Sequence, residues 1–160
     1  MFASYHLHPY TNPPSSGIYC LLIVATFLNI LTPELDSGTA GFIASCQTYE
    51  GGFSSSSHPS YSLSGNVLPP PALRPPLGEA HGGYTFCALA SWILLQPYLS
   101  SSVRTESGTE VQKIDVGNVL RWLVHKQGVD IELGGFKGRT NELVDGYAWC
   151  GGSFALLEAL

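Results

Sequence analysis

Glu50-Gly51-Gly52-Phe53 returns later in the chain as Leu133-Gly134-Gly135-Phe136, and each copy follows a helical pattern ending in Cys46-Gln47 or Lys126-Gln127. A second echo accompanies it: Gly83-Tyr84-Thr85-Phe86-Cys87-Ala88 matches Gly146-Tyr147-Ala148-Trp149-Cys150-Gly151, and Ile18-Tyr19-Cys20 keeps a shorter version. The repeated unit is a helix, a short loop, a second helix and a Gly-Gly-aromatic turn. Such a unit cannot bury its apolar faces alone, so copies stack into a solenoid or close into a ring.

Between these landmarks the pattern is helical. Gly17 to Leu31 is apolar on nearly all sides, as expected of a helix buried all round. At about 15 residues it falls short of the roughly 20 needed to span a bilayer. Thr32-Pro33 suits a helix start, with Ser37 as a second cap, so Pro33 to Cys46 reads as one or two short helices. Gly83 to Leu99 and Asp115 to Lys126 continue the series, the latter with Val116, Val119, Leu120 and Leu123 on one face. A last helix is expected from Asp145 to Leu160. With five helical segments and no convincing strand pair, the fold class is all-α. Residues 1–16 read as an irregular lead-in, and residues 17–160 as one domain. The Ser-, Gly- and Pro-rich stretch near 53–78 reads as a flexible insertion.

Composition supports an incomplete surface. Hydrophobic residues are 44% of the 160 residues, but Asp, Glu, Lys and Arg together are only 12%, about half the roughly 25% of a soluble domain. Much of the surface should therefore lie against something else, such as further repeats or a partner subunit. A net charge of −5, with seven Lys and Arg scattered from Arg74 to Arg139, leaves no footprint for nucleic acid. Cys20, Cys46, Cys87 and Cys150 form no C-x-x-C pair and no signal peptide is evident, which reads as reduced thiols in the cytoplasm.

Two segments place polar groups just before a helix. In Glu79-Ala80-His81-Gly82-Gly83-Tyr84, two glycines allow close backbone approach, the helix N-terminus carries positive partial charge, and His81 adds a donor. The arrangement suits an anion such as a diphosphate, although on this segment in isolation a histidine capping a tight turn is the favoured reading. In Gly138-Arg139-Thr140-Asn141-Glu142-Leu143-Val144-Asp145, Arg139 can fork onto phosphate oxygens and Asp145 can ligate a cation or cap a helix. Cys150 lies five residues after Asp145, about 140° around an ideal helix, and is poorly placed to share a metal with it.

The run CQTYEGGF, then EAHGGYTFCALA, then GGFKGRTNELVDG, in that order, resembles the β subunits of protein farnesyltransferase. The resemblance covers Gly17 to Leu160 apart from the insertion. It implies part of an α–α barrel, or toroid, of prenyltransferase repeats, paired with a separate α subunit as a heterodimer. The implied activity transfers farnesyl from farnesyl diphosphate to the cysteine of a C-terminal CaaX sequence, with zinc holding that cysteine as a thiolate. By resemblance, His81, Gly82, Gly83, Arg139 and the position of Glu142 face the diphosphate. Tyr84, Cys87, Tyr147, Trp149 and Tyr19 line the isoprenoid site, and Asp145 matches the zinc-binding aspartate.

This chain also departs from the pattern. The cysteine expected between Gly146 and Tyr147 is missing, and the histidine ligand belongs to a later repeat, so one of three protein zinc ligands remains. Glu142 stands where the family has lysine, and Ser16 where it has arginine. These departures point to a fragment or degenerate copy. They leave three further readings: a non-catalytic helical-repeat scaffold, a structural fragment without ligand, and a geranylgeranyltransferase β-like protein.

Overall fold

The computed structural model describes residues 15–32, 38–56, 78–102, 113–132, 134–145 and 149–160. Five α-helices carry the described fold: α1 (Ser15–Phe27), α2 (Thr39–Ser45), α3 (Gly82–Ser102), α4 (Val116–Val124) and α5 (Trp149–Leu157). The long central α3 packs most extensively against α5 and α1, while α2 leans on α3 and α4 on α5. First, third and fifth helices thus form one layer, with second and fourth outside it. This alternation is what a repeat of helix pairs dictates.

The core lies between the layers, where Leu22, Ile43, Phe53, Leu89, Trp92, Leu95, Val119, Trp122 and Leu123 form one cluster. α4 is aligned by its cap: the Asp115 carboxylate accepts from the Asn118 N–H at 3.0 Å. Its buried face is Val119, Trp122 and Leu123, whereas Val116 and Leu120, expected on that face, are exposed. The large indole sets the rotation, because Trp122 fills the space that Gly52 leaves open. α2 starts from Gly38, whose φ of 82° no side-chain cap accompanies, and residues 33–37, including Ser37, lie outside the described residues.

Each Gly-Gly-aromatic turn has the same construction. Gly51 has φ 112° and Gly134 φ 69°, the left-handed region that favours glycine. The second glycine of each turn meets a neighbour: a Cβ on Gly52 would lie 2.6 Å from the Trp122 ring, and one on Gly135 would collide with Val144. The aromatic residues then form matching bridges, Gln47 with Phe53 and Gln127 with Phe136. The next backbone bonds also correspond, Ser54 N–H to the Cys46 carbonyl at 3.0 Å and Lys137 N–H to the Lys126 carbonyl at 2.8 Å. The sequence echo is therefore a structural repeat.

Three expectations need correction. Phe136–Lys137 (β1) and Val144–Asp145 (β2) do form a small antiparallel pair, with Phe136 opposite Asp145. Asp145, expected to open the last helix, is instead paired in β2, and the described helix runs Trp149–Leu157. Phe53 and Ser54, at the head of the stretch read as flexible, are buried, because Phe53 plugs the core with none of its surface exposed. Residues 57–77 and 1–14 lie outside the described residues, so the insertion and lead-in do too.

α1 is not buried all round. Leu22 and Ala25 face the core, but Leu21, Val24 and Phe27 are exposed, Phe27 to 82%. A helix in such a repeat has two apolar flanks, and here α3 covers only one. This matches the shortage of charge and the expected missing neighbour.

Candidate functional site: a polar cluster beside an aromatic row

The start of α3 and the loop after β1 meet through backbone: Gly82 N–H donates to the Gly138 carbonyl at 2.9 Å. Both positions are tight: a Cβ on Gly82 would lie 2.8 Å from Cys150 Sγ, and one on Gly138 would press on the His81 side chain, 2.9 Å from Nε2. His81 and the loop bearing Arg139 and Glu142 are thereby brought together.

The His81 ring is fixed by its own helix. Gly83 N–H donates to Nδ1 at 3.0 Å, which leaves Nε2 as the ring nitrogen that can donate outward. Tyr84 packs edge-on to it, with ring centroids 5.5 Å apart. The Nε2–H lies 4.0 Å from Glu142 Oε2. Arg139 reaches the other carboxylate oxygen, Nη1 to Glu142 Oε1 at 3.6 Å, and its Nε lies 3.9 Å from Glu79 Oε2. The two cationic or donor groups expected at a diphosphate are thus neighbours, but they share carboxylates. The amides of Gly82 and Gly83, expected to serve an anion, already have acceptors in Gly138 and His81.

Further along α3 from this cluster runs a row of rings. Tyr19 of α1 stands edge-on to Phe86 of α3 at 5.9 Å, and Phe86 tilts against Trp149 of α5 at 5.2 Å. One ring from each helix of the layer makes a continuous aromatic surface. Phe86 was not among the expected site residues, yet the repeat signalled it, because Phe86 and Trp149 hold the same place in the two echoed segments.

Loop support comes from Lys126, which is 4% exposed. Its ammonium donates to Thr140 Oγ1 at 2.6 Å and sits 4.7 Å over the Trp122 ring. Burial lowers its pKa, countered in part by Glu50. Lys126 also lines an open cavity of about 540 Å³ with Tyr49, Arg121, Trp122 and His125.

Cys87 faces α1 near Cys20, and burial followed by the Cys20 charge pushes its thiol up to about 11. Burial pushes Cys46 up to about 12. Both thiols hold their protons more tightly folded than unfolded. They contribute stability that is intact below the ordinary value of 9.0 and lost as pH climbs through about 11 and 12. The urea midpoint is expected to fall above pH 9.0, and iodoacetamide to modify exposed Cys20 well before Cys46, Cys87 or Cys150, read by peptide mass spectrometry.

The metal expectation finds no donor set. Among the described residues no group of three His, Cys, Asp or Glu side chains could hold an ion. Asp145 is placed by backbone on β2, its side chain lies outside the described residues, and so does Tyr147. Cys150 is buried, with Sγ donating to the Lys137 carbonyl at 3.6 Å. No described helix is long and apolar enough to cross a membrane.

Alternating helix pairs, Gly-Gly-aromatic turns and a polar cluster at the end of an aromatic row define a helical-repeat protein of the prenyltransferase type. The chain belongs to the prenyltransferase alpha-alpha toroid domain family, which it matches over residues 4–160. It is similar to the protein farnesyltransferase subunit beta of Pisum sativum, 42% identical over 144 residues, covering 89% of this chain and 26% of that protein. The corresponding subunit of Arabidopsis thaliana is 35% identical over 142 residues, covering 89% of this chain and 22% of that protein. The geranylgeranyl transferase type-1 subunit beta of Arabidopsis thaliana is 29% identical over 142 residues, covering 88% of this chain and 32% of that protein. The chain spans about a quarter of the length of the farnesyltransferase subunits it matches.

Proposed function

We propose that this chain carries part of the prenyl diphosphate site of a protein prenyltransferase β subunit, of the farnesyl type. The observation that carries the reading is that the His81–Arg139–Glu142 cluster stands at the start of α3, the helix whose Phe86, five residues beyond His81, is the middle ring of the Tyr19–Phe86–Trp149 row. A prenyl diphosphate has the same two halves. Its hydrocarbon gains by leaving water for aromatic faces, and its diphosphate needs cationic and N–H donors.

In the reaction proposed for the whole protein, a thiolate sulfur of the acceptor cysteine attacks the first prenyl carbon. The C–O bond breaks, its electron pair leaves with the diphosphate, and a thioether remains. The Arg139 guanidinium and the His81 Nε2–H would stabilise charge developing on the departing oxygens. Partners in this reading are a farnesyltransferase α subunit and proteins ending in CaaX, in the cytoplasm. Zinc fits only in part: Asp145 is the one matching ligand, and further donors would have to come from outside the described residues. A geranylgeranyl-transferring role is the second reading, favoured by the match to that type-1 subunit over the same span.

The test is calorimetric titration of a non-hydrolysable farnesyl diphosphate analogue, with and without a farnesyltransferase α subunit. Binding in the micromolar range is expected, weakened about tenfold or more in His81→Ala and in Arg139→Ala. No measurable binding, or binding indifferent to both substitutions, would overturn the proposal.

A further inference from the structure

We infer that Glu142 sets the anion affinity of this polar cluster, acting as a built-in carboxylate that competes with an incoming anion for Arg139 and His81. The inference rests on the diphosphate reading above. Glu142 offers one oxygen to each group, Oε1 to Arg139 Nη1 at 3.6 Å and Oε2 towards His81 Nε2 at 4.0 Å. The approach to His81 passes over Gly138, where a Cβ would lie 2.6 Å from Glu142 Oε2 and 2.9 Å from His81 Nε2. The bare backbone there is what lets carboxylate and imidazole approach. Glu79 takes the remaining side of Arg139 at 3.9 Å.

The charge count follows. Within the group one guanidinium faces two carboxylates, Glu142 and Glu79, with the Lys126 ammonium acting on Glu79 from beside Thr140. An arriving diphosphate must displace Glu142 and then sit beside it. The displaced pairs are half-exposed, with Glu142 at 39% and Arg139 at 45%, so they hold weakly and are easily exchanged. The larger effect is repulsion between Glu142 and the several negative charges of the ligand, which acts over a few ångströms and is reduced by salt. Glu142 therefore discriminates most strongly against multiply charged anions.

The experiment is calorimetric titration of inorganic diphosphate into the full chain and its variants, at low and at physiological ionic strength. Glu142→Gln is expected to bind about tenfold tighter than the parent at low ionic strength, with the gain shrinking as salt rises. The gain should vanish in the Arg139→Gln, Glu142→Gln double variant. Glu142→Asp keeps the charge and shortens the reach, so it should fall between parent and Glu142→Gln, and it serves if the amide variant misfolds. Equal affinity in the parent and both Glu142 variants overturns this inference while leaving the anion site itself standing. A gain that survives in the double variant also overturns it, since the anion would then sit elsewhere. Absence of binding in every variant overturns both this inference and the reading it rests on.

Discussion

Gly51→Ala is expected to abolish cooperative unfolding of this chain, whereas Gly134→Ala should lower stability by only about 1 kcal/mol. Both glycines open a Gly-Gly-aromatic turn and both have positive φ, 112° and 69°. They differ in what surrounds them. A Cβ on Gly51 would overlap the Asn118 carbonyl, backbone of α4 that cannot rotate away, while a Cβ on Gly134 meets nothing within 4 Å. Moving Asn118 would also disturb Asp115, whose N–H and carbonyl are both held by the Gln47 side chain at 2.8 and 2.9 Å. The Gly51 substitution therefore acts on a whole helix, and the Gly134 substitution on one backbone angle. Urea unfolding followed by circular dichroism separates them, and similar small losses in both would contradict the packing described for the first turn.

Phe53→Ala should cost about 3–5 kcal/mol, and Phe136→Ala clearly less. Phe53 is wholly buried in the cluster joining α2, α3 and α4, whereas its repeat partner Phe136 is half-buried and packs on Phe154 at 5.7 Å. Phe53 also carries backbone bonds on both sides, accepting from the His81 N–H at 3.1 Å and donating to Thr85 Oγ1 at 3.0 Å. Its loss would loosen the start of α3, where the candidate site begins. Against a total stability of about 5–15 kcal/mol for a domain, this single change is large. Chemical denaturation of the two variants measures it, and equal losses would mean that the second turn is as deeply packed as the first.

Much of this was legible because repeats constrain both sequence and packing. The Glu50–Phe53 and Leu133–Phe136 echo located two turns that share glycine geometry and bridges, and the helix order followed from patterns of apolar residues. What could not be read was the neighbourhood. Leu120 and Trp122 both suit an apolar face, and only the gap above Gly52 decides that Trp122 goes inward. Lys126 ends an amphipathic helix, where a lysine is ordinarily solvated, and its burial depends on Thr140 and Trp122 arriving from elsewhere.

The same distinction holds for the site. His81 and Arg139 were singled out by the residues that precede and follow them, and the structure does make them neighbours. Glu142 was noted as a charge reversal, but its position between them is a matter of three dimensions. Glu79 drew no attention, since an exposed acid before a helix is ordinary, and only the fold sets it against Arg139.

The central claim, that the aromatic row and the polar cluster form one prenyl diphosphate cleft, is tested most directly by photolabelling. A prenyl diphosphate bearing a benzophenone at its hydrocarbon end would be irradiated with the chain, and the modified peptides mapped by mass spectrometry. Labels confined to α1, α3 and α5 near Tyr19, Phe86, Cys87 and Trp149, and suppressed by excess farnesyl diphosphate, are the expected result. Labels scattered over α2 and α4, or unaffected by competitor, would contradict the account.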